Sequence, residues 1–188
     1  MDGSSFPNDE ELMADVASGE LHRMSPLFDR YRTALFQFFR RQGAEAAVSE
    51  DLVQEVFFRI LRARQTYRRD LPFRAWLYQI ARNVRVDHLR RTVRETQPDD
   101  DFGEVACLAA TPEQQAEASE SSRLLRHALD ALPERKRELL ILSRFQGLKY
   151  KEIAAITGAD VNTVKVRIHR CMNDLRESFL ALSERRAP

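Results

Sequence analysis

The sequence predicts an all-α protein, two small helical domains on either side of an acidic linker, and three observations carry that prediction. Apolar residues recur at three- and four-residue spacing through most of the chain outside the linker. Glycine and proline number only 6 and 7 among 188 residues, too few for the many turns of an all-β fold. Charge, finally, is sorted into blocks behind a formal net charge of +1. Residues 1–20 hold six acids and no base, and residues 59–94 hold eleven arginines against Asp70 and Asp87. Residues 95–122 then carry eight acids and no base, and residues 123–176 return to a net +6. Two basic blocks divided by an acidic strip fit two polyanion-binding surfaces and a linker that cannot itself bind DNA. Two solvated helical faces in a nearly neutral protein are the alternative.

Element by element, residues 9–18 read as a short helix stopped by Gly19. Ser25 is expected to cap the second helix, with Pro26 at its first position and Leu27, Phe28, Tyr31, Leu35, Phe38 and Phe39 along one face as far as Gly43. Ser49 is expected to cap the third, whose apolar stripe is Leu52, Val53, Val56, Phe57, Ile60 and Leu61 and whose other face shows Asp51, Gln54 and Glu55. After a polar break at residues 66–72, Pro72 opens a long helix to about Arg94, with Trp76, Leu77, Ile80, Ala81 and Val84 inside and arginines outside. Residues 95–112 lack any sustained period and form the linker. Helices are then expected at roughly 113–131, 134–146, 149–157 and 161–180, with Pro133 and Gly147 at the first two boundaries. The domains therefore span 9–94 and 113–182.

Residues 148–170 (LKYKEIAAITGADVNTVKVRIHR) carry the strongest local signal. Two short helices cross closely only over a small residue, here Ala154, and the turn between them needs a residue tolerant of positive φ, here Gly158. Val161, Val164 and Ile168 are expected to bury the second helix. Asn162, Thr163, Lys165, Val166, Arg167, His169 and Arg170 are left outward, the arrangement of a helix-turn-helix entering a major groove. Lys165 and Arg167 suit phosphates as well as bases. A hairpin that merely packs is the bland alternative. In the first domain, residues 73–91 (FRAWLYQIARNVRVDHLRR) place aromatics beside arginines, which suits unpaired bases; core packing of Trp76 and Tyr78 is the competing reading.

Three stretches together resemble the bacterial extracytoplasmic-function (ECF) sigma factors of the sigma-70 family: DLVQEVFFRIL (51–61), FRAWLYQIARNVRVDHLRR (73–91) and residues 129–170. The resemblance extends over about residues 9–182. It implies that residues 9–94 form sigma region 2 and residues 113–182 sigma region 4. Asp51, Gln54 and Glu55 would dock on the β′ clamp of core RNA polymerase, while region 4 meets the β flap. Phe73, Trp76, Arg82, Asn83, Asp87 and Arg90 would read and melt the minus-ten element around a flipped base, beside a pocket loop at residues 66–73. Asn162, Thr163, Lys165, Val166, Arg167, His169 and Arg170 would read the minus-thirty-five element. It also implies an anti-sigma factor as partner. Two departures stand out. Leu71-Pro72 replaces the flexible pair that many relatives have before Phe-x-x-Trp, and Val166 replaces the serine of Thr-Val-Lys-Ser-Arg. A valine can touch a thymine methyl but cannot hydrogen-bond.

The exclusions complete the reading. No nucleophile–base pair, glycine-rich phosphate loop or metal-spaced cluster appears, so neither enzymatic activity, cofactor nor metal is expected. Cys107 and Cys171 read as two reduced thiols. No apolar run reaches the roughly 18 residues of a membrane span, and the acidic N-terminus is unlike a signal peptide. The expectation is a cytoplasmic protein without membrane insertion of its own, held at the inner membrane where its anti-sigma factor is membrane-bound. A free-standing helix-turn-helix repressor or activator is the rival reading, and it leaves the Asp51/Gln54/Glu55 face unexplained.

Overall fold

A computed structural model describes residues 7–69, 71–96 and 120–184, and all regular structure among them is helical. The N-terminal half contains α1 (Asp9–Ser18), α2 (Met24–Arg41), α3 (Ala46–Ala63) and α4 (Phe73–Thr96). The C-terminal half contains α5 (Glu120–Asp130), α6 (Glu134–Leu140), α7 (Tyr150–Thr157) and α8 (Val161–Glu184). The expected linker, apart from its first two residues at the end of α4, lies outside the described residues, as do Cys107 and the expected helical start at 113–119.

α1 begins where Asn8 accepts the Glu11 amide at 2.8 Å and Glu11 accepts the Asn8 amide at 3.1 Å, a reciprocal cap. Gly19 ends it at φ 116°, a backbone state that a side chain would oppose. α2 does not start at a serine cap. A 3₁₀ turn at Leu21–Arg23 runs directly into Met24, so Ser25 lies inside the helix and Pro26 in its first turn, where no amide partner is needed. Ser49 is likewise no cap: α3 starts three residues earlier, at Ala46, and Ser49 is buried within it. Both serine assignments fail because the chain has other ways of entering a helix: a preceding turn in one case and an extended Glu45 in the other.

α1 to α4 enclose a core of Leu12, Met13, Val16, Leu27, Leu35, Phe38, Phe39, Val56, Ile60, Phe73, Leu77 and Ala81. Edge-to-face ring pairs knit it together, including Phe28–Phe57 at 4.8 Å and Phe38–Tyr78 at 5.3 Å. The start of α4 is tied to α1, since Glu10 accepts the Phe73 amide at 3.0 Å. In the C-terminal half, Leu129, Leu140, Ile141, Ile153, Val164, Ile168 and Leu175 form the corresponding core. Arg137 is buried there and ends α5 by donating to the carbonyls of Leu129, Asp130 and Leu132 at 3.0, 2.5 and 3.1 Å. Burial pushes the neighbouring Asp130 carboxyl up, and the Arg137 guanidinium partly offsets it.

The two halves pack directly on one another. After α6 the chain winds into a π-helical turn at Ile141–Phe145, then passes Gln146 and Gly147 (φ 61°) into α7. This wide turn, often found at functional positions, delivers Phe145 and Gln146 to the N-terminal half. Phe145 lies under the Arg41 guanidinium, 4.6 Å from ring centre to Cζ. Gln146 is buried and bonded to both α4 and α2.

Candidate nucleic-acid interface

The turn of the helix-turn-helix forms as its sequence requires. Ala154 is buried at the crossing and Gly158 adopts φ 67°. Asp160, which sequence reasoning passed over, caps α8 by accepting the amides of Asn162 and Thr163 at 2.8 and 3.3 Å. At α7 the Glu152 carboxylate accepts the Lys149 amide at 2.6 Å. Val164 and Ile168 are buried as expected, together with Cys171 and Leu175 one and two turns on. Val161 is not: at 40% exposed it stands at the first position of α8. The outward residues emerge as a group. Asn162, Lys165, Val166, Arg167, His169 and Arg170 are exposed and Thr163 is half-buried. Burial pushes the Cys171 thiol up, against the thiolate form and its reactivity.

α4 is more divided than its sequence suggested. Successive helical residues point about 100° apart, so Trp76, Asn83, Asp87 and Arg90 share one stripe while Tyr78, Arg82 and Arg85 share another. On the first stripe, Asn83 lines an open groove with Glu55, Arg59, Arg62, Ala63, Ile80 and Arg91. Trp76 is half-buried against Tyr67, ring centres 5.2 Å apart, and the Tyr67 hydroxyl donates to the Leu71 carbonyl at 3.3 Å. Trp76 and Ile80 are thus only partly inside. Phe73 is wholly buried between Tyr31 and Tyr67, so it supports the 66–73 loop from beneath and offers no surface to a base. Tyr78 is also wholly core, and burial raises its hydroxyl pKa far above the ordinary tyrosine value.

The arginines are not all outside. Arg85 is 7% exposed, pairing with Glu134 of α6 and donating to the Gln42 carbonyl at 3.1 Å. Arg82 directs its Nε between the two oxygens of Glu138, at 3.1 and 3.2 Å. Asp87 accepts from Arg59 at 2.6 Å, and the same guanidinium reaches Glu55 at 2.7 Å. Burial works against the Arg59 charge, but the two carboxylates outweigh it and raise the guanidinium's hold on its proton.

On α3, Asp51 and Gln54 are exposed and Glu55 is half-buried in its pairing with Arg59. The residue that sequence reasoning missed is Phe58, 54% exposed on the same face as Asp51, Gln54 and Glu55, with Arg62 above its ring at 5.6 Å. The signal was present, since Phe58 falls outside the stripe of 52, 53, 56, 57 and 60 and follows Gln54 and Glu55 by four and three residues.

Comparison with known proteins follows the same division of the chain. Residues 27–95 match Sigma-70 region 2, and residues 122–175 match Sigma-70, region 4. The chain belongs to the sigma-70 family, among its ECF sigma factors. It is 37% identical over 179 residues to the ECF RNA polymerase sigma factor SigE of Mycolicibacterium smegmatis, covering 91% of this chain and 69% of that one. It is 33% identical over 170 residues to the RNA polymerase sigma factor CarQ of Myxococcus xanthus, covering 88% and 94%. Among solved structures, CnrH in complex with the cytosolic domain of CnrY superposes with a TM-score of 0.67 at 26% identity, covering 95% of this chain and 99% of that one. The sigma factor RpoE in complex with the anti-sigma factor NepR from Bartonella quintana gives 0.66 at 28% identity, covering 82% and 95%. This sigma factor therefore binds core RNA polymerase and directs promoter-specific initiation. Among its described residues no helix is long and apolar enough to cross a membrane, and no group of three or more His, Cys, Asp or Glu side chains is placed to hold a metal.

Proposed function

We propose that residues 9–94 dock on the polymerase and open the minus-ten element while residues 113–182 hold the minus-thirty-five duplex. The observation that carries this reading is the start of α8, where a capped helix following a positive-φ glycine offers Lys165, Arg167 and Arg170 to solvent with no ion pair to any described residue. Lys165, Arg167, His169 and Arg170 with Asn162 and Thr163 contact duplex DNA, and Val166 sets a preference for a methyl-bearing base edge. On α4 the exposed pair Asn83 and Arg90, with Trp76 and Asp87 on the same stripe, line the path of the separated strand, and Arg82 holds its backbone once freed from Glu138. Phe73 acts by supporting the loop. On α3, Asp51, Gln54 and Glu55 meet the β′ clamp with Phe58 as the apolar anchor among them, an exposed aromatic in a polar rim being the common make-up of a binding hot spot.

An anti-sigma factor is proposed as the controlling partner. The fold's likeness to CnrH bound to CnrY and to RpoE bound to NepR supports this. The protein is proposed to act in the cytoplasm as a transcription factor without catalysis of its own, held at the inner membrane if that partner is membrane-bound.

Run-off transcription with purified core polymerase and genomic promoter fragments tests the reading. Discrete transcripts that require both polymerase and this protein are expected. Tight duplex binding by the protein alone, with no polymerase-dependent transcript, would instead identify a free-standing repressor or activator.

A further inference from the structure

Three acids, Asp9, Glu10 and Glu11, fill the first turn of α1, in a domain proposed to bind a polyanion. Each has a different partner. Glu11 completes the reciprocal cap with Asn8. Asp9 accepts from Arg30 at 2.7 Å and from the Tyr31 hydroxyl, fastening α1 to α2. Glu10 reaches out of its own helix and accepts the Phe73 amide at 3.0 Å, 63 residues further along the chain. That amide is one of the donors a helix start leaves unpaired. The residue before it, where Ser, Thr, Asn or Asp would ordinarily offer such amides an accepting oxygen, is Pro72. Its carbonyl accepts the first helical bond, from the Trp76 amide at 3.2 Å, but its side chain has no oxygen to offer. The start of α4 is therefore capped from α1.

This cap lies where the loop proposed to hold the flipped base joins α4. α1 packs against both ends of that loop, the 3₁₀ turn at Arg64–Thr66 and the first residues of α4. Phe73 is held twice from this side: its amide by Glu10, and its ring by Tyr31, 5.6 Å away, whose hydroxyl Asp9 fixes. Phe73 in turn meets Tyr67 at 6.1 Å, and Tyr67 meets Trp76 at 5.2 Å while donating to the Leu71 carbonyl. We infer that Glu10 is a positioning residue for minus-ten recognition, setting through the Phe73 amide where the Leu71–Phe73 end of the loop and Trp76 stand. The role rests on the proposed minus-ten reading of that loop. A pocket for a flipped base discriminates only as finely as its walls are held in place. Pro72 stiffens the loop but withdraws the local cap, so the placement of this wall depends on a carboxylate that acts through Phe73 and need not touch DNA.

Holoenzymes made with the full-length protein test this on barcoded templates built on one promoter found by run-off transcription. One set is randomised in the minus-ten element and the other in the minus-thirty-five element. E10A is expected to narrow the preference at the most selective minus-ten position about fivefold, the equivalent of one lost hydrogen bond, and to keep minus-thirty-five preferences within about twofold of wild type. E10Q retains an accepting oxygen at the same reach and is expected to keep the wild-type minus-ten preference. E10D is one methylene too short and is expected to behave as E10A. V16A separates positioning from stability, because Val16 is wholly buried on α1 and makes no bond to the Phe73 amide. It is expected to lower the melting temperature and leave minus-ten preference unchanged. An unchanged preference in E10A, an equal change in both template sets, or a V16A that blurs the minus-ten element as much as E10A overturns the inference. A loss in E10Q equal to that in E10A also overturns it, since charge and not the accepted hydrogen bond would then be responsible. A wild-type holoenzyme with no preference in the minus-ten set overturns the minus-ten reading itself, a failure visible without any variant.

Discussion

α4 and α8 are both 24 residues long, both basic, and both proposed to touch nucleic acid, yet they use their surfaces in opposite ways. α8 buries one spine, Val164, Ile168, Cys171 and Leu175, and leaves the outer side of its first turns open. α4 buries residues on two sides: Leu77, Ala81 and Val84 against its own bundle, Tyr78 and Arg85 against the other domain. Three of its charged groups are correspondingly occupied, Arg82 and Arg85 by α6 and Asp87 by Arg59. A helix that reads intact duplex can be presented ready-made, because the major groove accepts it without rearrangement. A helix proposed to hold an opened strand works only after unpairing, and here Arg82 and Arg85 are engaged beforehand while Arg90 stays exposed.

The largest expected effect tests whether the open face of α8 depends on its single spine. Ile168→Ala removes a fully buried side chain from the helix that packs on α5, α6 and α7 and should cost about 2–5 kcal/mol in chemical denaturation. A smaller loss would mean that α8 is held by more than that spine. Next, Arg167→Ala should weaken duplex binding by about 1–3 kcal/mol and flatten its salt dependence, already in the free protein. Arg82→Ala should leave duplex binding by the free protein unchanged and show its defect only in transcription by the holoenzyme. The comparison between the helices breaks if the two variants behave alike in free-protein binding assays. Tyr78→Phe should destabilise the protein by about 1–2 kcal/mol, since it leaves the buried Gln146 oxygen without its donor; unchanged stability would show that the interdomain bond contributes little. The smallest effect is expected of Val166→Ser. Total affinity should hold while preference at one base pair of the minus-thirty-five element shifts by about 1 kcal/mol, read by selection from randomised promoters. A shift spread over several positions would mean that α8 had changed its docking.

Much of α8 was legible beforehand because a helix-turn-helix is a local device. The small Ala154, the positive-φ Gly158 and the buried Val164 and Ile168 lie within one short stretch, so spacing alone gives their placement. Val161 was misplaced: it is the first residue of α8 and stands exposed, which the spacing of apolar residues does not reveal. The caps were the other weakness. Ser25 and Ser49 have the right chemistry but sit inside their helices, whereas Asn8 and Asp160 do the capping.

By itself, the sequence determined that the protein is helical, where its helices run to within a few residues, that basic blocks lie in both halves, and which family it resembles. Those properties follow from periodicity, turn chemistry and residue order, which act over a few turns of chain. Tertiary structure decided that Phe73 and Tyr78 belong to the core, that Phe58 is exposed on the Asp51 face, and that Arg82 and Arg85 meet Glu138 and Glu134. Those pairings join residues 56 and 49 positions apart. No local pattern encodes a contact of that span, because it depends on how two separately folded surfaces meet.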